Sequence, residues 1–474
     1  MDNYQDYDAL GLADLVRRGD VTADELLDAA LARADQVNPS LNAIVHDWAD
    51  EAKKALKEGV PEGPFTGVPF LLKDLNMFTP GRVTTNGSKL FADYVADQKS
   101  TLVERFEQAG LVIFGSTNSP EFGLTASTEP ALFGPTRNPW NLDHTPGGSS
   151  GGSSAAVAAG IVPMANASDG GGSIRIPASC CGLFGMKPTR ARTPFGPMAG
   201  EGWGGMSIGH ALSWTVRDNA ALLDAVAGPA PGDPYAAPPK TGSYLSAVMT
   251  PPRRLKIAYS VKAPSGVDID SECVAAVEQA ARLLRDLGHE VEDDAPHLDT
   301  EEIGQAQVLI MGASAKLTCE LRAAELGREL AEDDVEMITW AMIQNARAEP
   351  VDAYPKALRV IHGVGRTFAA FHEKYDVWLT PTLGKPPVPL GPLSMSNPDI
   401  GQYVETVLSF ACFTGFMNMS GAPSMSLPLH MSKDGLPVGV MATGPVGCEE
   451  MLFSLAGEIE RAQPWFHRRP PEIG

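Results

Sequence analysis

The sequence predicts an α/β fold of layered sheet and helix, on three observations. Short apolar runs of strand length alternate with segments of helical periodicity along most of the chain. Hydrophobic residues make up 43% and charged residues 20%, the balance of a folded protein rather than a disordered one. No apolar run approaches the roughly 18 residues that a membrane span needs. At 474 residues the chain has room for one large domain or two to three ordinary ones.

In order along the chain, residues 7 to 37 read as two helices. Thr22 and Glu25 form a capping box, and Leu26, Leu27, Ala30, Leu31 and Ala34 follow at helical spacing. Residues 50 to 59 read as a solvated helix, broken by Pro61 and Pro64. Val68 to Asp74 is a short apolar strand with one lysine near its end. Leu102 to Ala109 predicts a helix with Gly110 as its C-cap, and Leu111 to Phe114 a buried strand. Ser153 to Gly160 is alanine-rich and predicts a tightly packed helix, with Ile161 to Ala165 as the next strand. Residues 229 to 252, rich in Pro, Gly and Ala, read as a connector. Beyond it, 254 to 259 predicts a strand and 270 to 287 an amphipathic helix with Val274, Val277, Ala281 and Leu284 on one face. Gly288 ends that helix and 289 to 292 starts another strand. Residues 301 to 373 read as mostly helical. Strands at 376 to 381 and 438 to 442 and a closing helix at 449 to 461 complete the pattern.

Charge and cysteine usage narrow the function. A net charge of −21 disfavours nucleic acid and anionic membranes as partners. None of the six cysteines forms a C-x-x-C pair, which argues against zinc and for buried thiols in a reducing compartment. The opening Met1-Asp2-Asn3-Tyr4-Gln5-Asp6 is acidic and polar, unlike a signal peptide, so a cytoplasmic location is expected.

The chemistry concentrates between Thr145 and Arg175, in two glycine-rich loops carrying Ser149 and Ser173. Glycine lets a backbone N–H approach a substrate uncrowded, and runs of such groups make oxyanion holes. A buried serine beside such a run is a candidate nucleophile. Other readings stand beside this one. The glycines could serve only turns that require positive φ. A phosphate loop would need G-x-x-x-x-G-K-[ST], and no lysine follows these glycines. Gly147-Gly148-Ser149-Ser150-Gly151 matches the G-x-S-x-G nucleophile elbow, which makes a histidine-dependent serine esterase with Ser149 as nucleophile an alternative. His297, His362, His372, His430 and His467 are its candidate partners, none singled out by position. Lys73, after Phe70-Leu71-Leu72, is a possible base, since burial lowers a lysine's pKa. The plainer reading is a snorkelling lysine paired with Asp74.

Taken together, several stretches resemble the amidase-signature family. They are Gly67-Val68-Pro69 with Lys73-Asp74, Pro146-Gly147-Gly148-Ser149-Ser150-Gly151-Gly152-Ser153, and Ser168-Asp169-Gly170-Gly171-Gly172-Ser173-Ile174-Arg175. Gly185-Met186-Lys187-Pro188-Thr189, Val216-Arg217-Asp218 and Asp376-Val377-Trp378-Leu379-Thr380-Pro381-Thr382 follow, so the resemblance runs from about residue 8 to 465. It implies a central mixed, twisted β-sheet covered by helices on both faces. It implies one domain over 1–474: N-terminal helices to 66, a catalytic core at 67–228, a variable substrate-side region at 229–400 and a C-terminal return to the sheet. By the same resemblance Ser173 is the nucleophile, Ser149 a bridging serine after a cis peptide from Gly148, and Lys73 a base that is neutral before attack. Backbone N–H groups of Gly170, Gly171, Gly172 and Ser173 match the oxyanion hole, and Ser150, Ser168, Asp169 and Arg175 the supporting residues. The resemblance implies no metal and no cofactor, a small amide or carbamate substrate, and a monomer or homodimer.

Within that family the A-type subunit of glutamyl-tRNA amidotransferase is the alternative. That branch carries an aspartate for glutamine seven residues before the asparagine aligned with Asn418, where this chain has Ala411. The chain looks more like the stand-alone bacterial amidases: aryl acylamidases, 6-aminohexanoate cyclic dimer hydrolases and urethane-hydrolysing amidases. Glu332 to Glu336 and His210 to Asp218 point that way, although Trp214 stands where relatives often have arginine. An apolar pocket is expected from 301–350 and 410–416. Met311, Trp340, Met342 and Phe413 are its candidates, although such residues are more often core.

Overall fold

The computed structural model describes residues 1 and 3–472. Helix α1 (Ala9–Arg18) starts where the Asp8 carboxylate accepts from the Gly11 N–H and ends at Gly19 in the left-handed region. The expected capping box opens α2 (Ala23–Leu41). After β1 (Ile44–Asp47) and α3 (Ala49–Glu58), β2 (Pro69–Lys73) runs into the interior, all five of its residues buried. Helix α4 (Thr101–Gln108) leads to β3 (Val112–Thr117), and a small sheet forms in the order β1-β3-β2. Strand β2 is parallel to β3 and β1 antiparallel to it.

The main sheet begins after the glycine loops. Helix α5 (Gly151–Ala158) buries all eight of its small residues. Then come β4 (Met164–Asp169), α6 (Arg175–Cys181), β5 (Phe184–Lys187), β6 (Ile208–Ser213) and α7 (Val216–Val226). The second half supplies α8 (Tyr244–Met249), β7 (Lys256–Tyr259), α9 (Ser271–Asp286), β8 (Glu290–Asp293) and the long α10 (Thr300–Glu325). Helices α11 (Met337–Ala348) and α12 (Ala353–His372), β9 (Val377–Pro381), α13 (Ile400–Phe410) and α14 (Gly415–Ser420) follow. Strands β10 (Ser424–Met431) and β11 (Pro437–Thr443) and helix α15 (Glu449–Ala462) close the fold.

Eight strands pair in the order β4-β6-β5-β10-β11-β9-β7-β8. The pairs from β4 to β9 are antiparallel, while β9-β7 and β7-β8 are parallel. Every residue of β5, β6, β9 and β11 is buried, so both faces of this mixed sheet are covered. A continuous apolar core joins Tyr4 near the N-terminus to Trp465 near the C-terminus. No helix among the described residues is long and apolar enough to cross a membrane.

Several elements depart from the sequence reading. The strand expected at 161–165 starts at Met164. Gly160 turns left-handed after α5, and Pro163 has no N–H to give a ladder. The 229–252 connector contains the short helix α8, capped by the Ser243 side chain. Strands β1, β5, β6 and β10 were not foreseen. Trp214 ties the C-terminal segment down: its indole N–H donates to the Val157 carbonyl and its own carbonyl accepts from the Trp465 indole, both at 2.9 Å. The Arg469 guanidinium lies 4.1 Å over its ring.

Candidate active site

Lys73 ends β2, where the small sheet abuts β4 of the large one. Its backbone N–H donates to Asn166 Oδ1 on β4 at 3.1 Å, which fixes the strand end against the neighbouring sheet. The side chain is fully buried. Its Nζ donates to Ser149 Oγ at 2.6 Å and to Ser168 Oγ at 3.0 Å. Burial lowers its pKa to about 7, against a smaller upward pull from the Asp169 carboxylate. The pairing with Asp74 is not formed. That carboxylate accepts from the Thr85 N–H at 2.9 Å and from the Thr85 hydroxyl.

Ser149 follows a cis peptide from Gly148 and stands just before α5. The residues before it form loop rather than strand, so the strand-turn-helix setting of an elbow is missing. Gly123, at φ +70°, passes so close that a Cβ there would lie 3.0 Å from Ser149 Oγ. Ser150 Oγ reaches the Ser168 carbonyl at 3.3 Å, joining the two glycine loops.

Ser173 lies in the turn from β4 to α6, 7% exposed. The Asp169 carboxylate organises this turn, accepting from the Gly172 N–H at 2.8 Å and the Ile174 N–H at 3.1 Å. Arg175 pairs with it through Nε at 3.0 Å and Nη2 at 2.9 Å, both side chains fully buried. Burial alone would raise the Asp169 pKa, but the Arg175 charge and hydrogen bonds outweigh it and hold it at about 2. One expectation is corrected here. The Gly172 N–H is engaged by Asp169, which leaves the N–H groups of Gly170, Gly171 and Ser173 as possible oxyanion donors.

Two residues of the C-terminal region complete the loop; the sequence reading used Asn418 only as an alignment point and did not single out Thr414. Thr414 Oγ1 donates to the Gly171 carbonyl at 2.6 Å. The Gly171–Gly172 peptide is therefore held from both sides, by Thr414 at its oxygen and Asp169 at its nitrogen. Gly172 sits at φ +137°, and a Cβ there would collide with the Thr414 hydroxyl. Asn418, one turn along α14, donates to the Asp169 carbonyl at 3.0 Å and its Oδ1 at 2.8 Å, and accepts from Arg175 Nη2 at 2.7 Å. Lys187 lies fully buried near the same network, its pKa lowered to about 7 by burial and then by the Arg175 charge.

Ser173 lines two adjoining cavities of about 280 and 480 Å³, which share Gly123, Leu124, Ser173 and Trp203 in their walls. Trp203 packs on the glycine loop, where a Cβ on Gly170 would lie 2.6 Å from its ring. Ser149 and Ser168 line only the smaller cavity. Met311 and Met342 line the larger one, as do Val308 on α10 and Ile400, Val404 and Leu408 on α13. Phe413 is fully buried in the core, and Trp340 packs against an apolar cluster without lining either cavity. No histidine lines either cavity, so the partner that an elbow serine needs is not in place. His372 and His430 are held elsewhere, by the Tyr375 carbonyl and Glu272. Among the described residues no three His, Cys, Asp or Glu side chains converge as metal ligands would.

Comparison with known proteins shows the family. The family described as Amidase matches residues 25–453. The 6-aminohexanoate-cyclic-dimer hydrolase of Paenarthrobacter ureafaciens is 37% identical, covering 98% of this chain and 96% of its own. The structure of a 6-aminohexanoate cyclic dimer hydrolase complexed with substrate superposes with a TM-score of 0.93 at 36% identity, covering all of both chains. A bacterial aryl acylamidase of the amidase signature family gives 0.87 at 28% identity, covering 97% of this chain and 96% of its own. The fold, the two glycine-rich loops and these similarities together establish that the chain belongs to the amidase signature family, whose members hydrolyse C–N bonds.

Proposed function

We propose that this chain hydrolyses small uncharged or aromatic amides, and carbamates by the same route, through an acyl-enzyme on Ser173. The observation that carries the reading is the buried Lys73 amine, 2.6 Å from Ser149 Oγ beside the Ser173 loop. Lys73, neutral at the start, takes the Ser149 proton while Ser149 takes that of Ser173. Ser173 Oγ bonds to the substrate carbonyl carbon, and the resulting oxyanion faces the N–H groups of Gly170, Gly171 and Ser173. As the C–N bond breaks, Ser149 gives a proton to the leaving nitrogen and regains one from Lys73. Water then attacks the ester by the same proton route, releasing the acid and restoring Ser173. The larger cavity supports an uncharged substrate, since no Asp, Glu, Lys or Arg lines it.

A serine-directed fluorophosphonate tests the assignment. Peptide mapping is expected to place the adduct on Ser173, and an adduct on Ser149 would overturn it. A second prediction concerns the clamped peptide. Thr414→Val removes the hydrogen bond to the Gly171 carbonyl and is expected to lower kcat about tenfold, with KM within about twofold. Thr414→Ser keeps the hydroxyl and should restore kcat. Steady-state kinetics on an anilide measure both.

A further inference from the structure

The two cavities beside Ser173 differ in chemistry, and that difference gives the substrate a direction. We propose that the larger cavity takes the acyl chain and the smaller one the leaving amine. The preferred substrate class is then an amide of a medium-length apolar acid with a compact, hydrogen-bonding amine. This assignment rests on the reading of Ser149 as the group that protonates the leaving nitrogen.

Protonation requires the nitrogen to lie within hydrogen-bond reach of Ser149 Oγ, about 2.6–3.2 Å. Ser149 and Ser168 open only onto the smaller cavity, so the amine substituent starts there. That cavity has apolar walls too, from Leu75, Phe78, Phe195 and Met198, but unlike the larger one it also carries a carboxylate, Glu201, beside Asn76, Asn86 and Ser207. These suit an amine that is polar and is neutral or cationic rather than anionic. Trp203, packed on Gly170, and the Gly123–Leu124 turn stand in both walls and divide the two spaces.

The acyl substituent on the other side of the carbonyl then enters the larger cavity. Its walls are mostly aliphatic, thioether and aromatic side chains, among them Tyr403 and Phe416, with Gln307 and Asn345 as amide groups. Ile400, Val404 and Leu408, at successive turns of α13, line this space and are also 46–58% exposed. Val308 on α10 lines it too and is 46% exposed. The cavity is thus an apolar trough open to solvent along one side, not a closed chamber. A trough lets a chain lengthen without meeting an end wall, and each methylene laid along it leaves water.

Two homologous series test the direction on the full-length protein. In p-nitroanilides with acyl chains from two to twelve carbons, kcat/KM is expected to rise about threefold per methylene through the middle of the series. In hexanamides of n-alkylamines, it is expected to stay flat and then fall about tenfold or more beyond butylamine. Val404→Asp places a charge in the trough and should flatten the first series without changing the slope of the second. A flat acyl series with a rising amine series would overturn the assignment, as would an acyl series that Val404→Asp leaves as steep as before. Ser149→Ala separates this failure from that of the underlying reading, because an activated ester needs no proton on its leaving group. If the anilide loses at least about tenfold more kcat/KM than the matching p-nitrophenyl ester, Ser149 stands as the proton donor whatever the slopes show; if both fall equally, that role falls first.

Discussion

Ser173→Ala is expected to abolish anilide hydrolysis, with kcat down by about five to six orders of magnitude. The loss is this large because in the proposed route only Ser173 forms the acyl-enzyme, while Ser149, 2.6 Å from the Lys73 amine, relays the proton. The substitution removes one oxygen at a 7% exposed position and leaves the Asp169–Arg175 pair intact, so folding should be preserved. Burst and steady-state release of p-nitroaniline measure the effect, and circular dichroism checks the fold. Turnover at wild-type rates would remove Ser173 from the mechanism.

Lys73→Ala is expected to cost about three to four orders of magnitude, the scale of a lost general base together with its positioned partner. Its pH signature is specific. The base must be neutral to accept a proton, and burial lowers the Lys73 pKa to about 7. Below that pH the amine is protonated, so wild-type kcat/KM should fall about tenfold per pH unit. Above it the amine is free and the profile should level off. In Lys73→Ala this limb should vanish, and residual activity on activated esters should recover toward high pH as hydroxide takes over. A pH–rate profile from 5 to 10 on both proteins decides the matter. An unchanged acid limb in the variant would assign that titration to another group, such as Lys187 or Glu121, both of which burial also brings to about 7.

The parts of the site that were legible in the sequence are those whose chemistry is local. Gly170 to Ser173 must come close to other backbone, so glycine is written into the chain there. The burial of Lys73 was less so: after three apolar residues a snorkelling lysine was the plainer reading, and only the family resemblance singled it out. Thr414 is different, because the carbonyl it holds lies 243 residues away. A threonine before a short helix has many ordinary uses, and only the fold shows which one applies. The trough was partly legible. Helix α10 was expected to contribute and does, through Met311. Helix α13 was not singled out, because residues 400, 404 and 408 repeat on one helical face as core residues also do. Strand β6 escaped for a related reason: buried on both faces, it shows no alternation to read. Nor can sequence show that an aspartate three residues back binds the Gly172 N–H.

The frame around the glycine loop also has a consequence for biosynthesis. Thr414 and Asn418 are translated more than two hundred codons after the serines they steady. A nascent polypeptide on the ribosome therefore carries Lys73, Ser149 and Ser173 together for about half of its elongation without the segment that holds the Ser173 loop. Fragments released early therefore lack the Thr414 and Asn418 contacts that hold this loop.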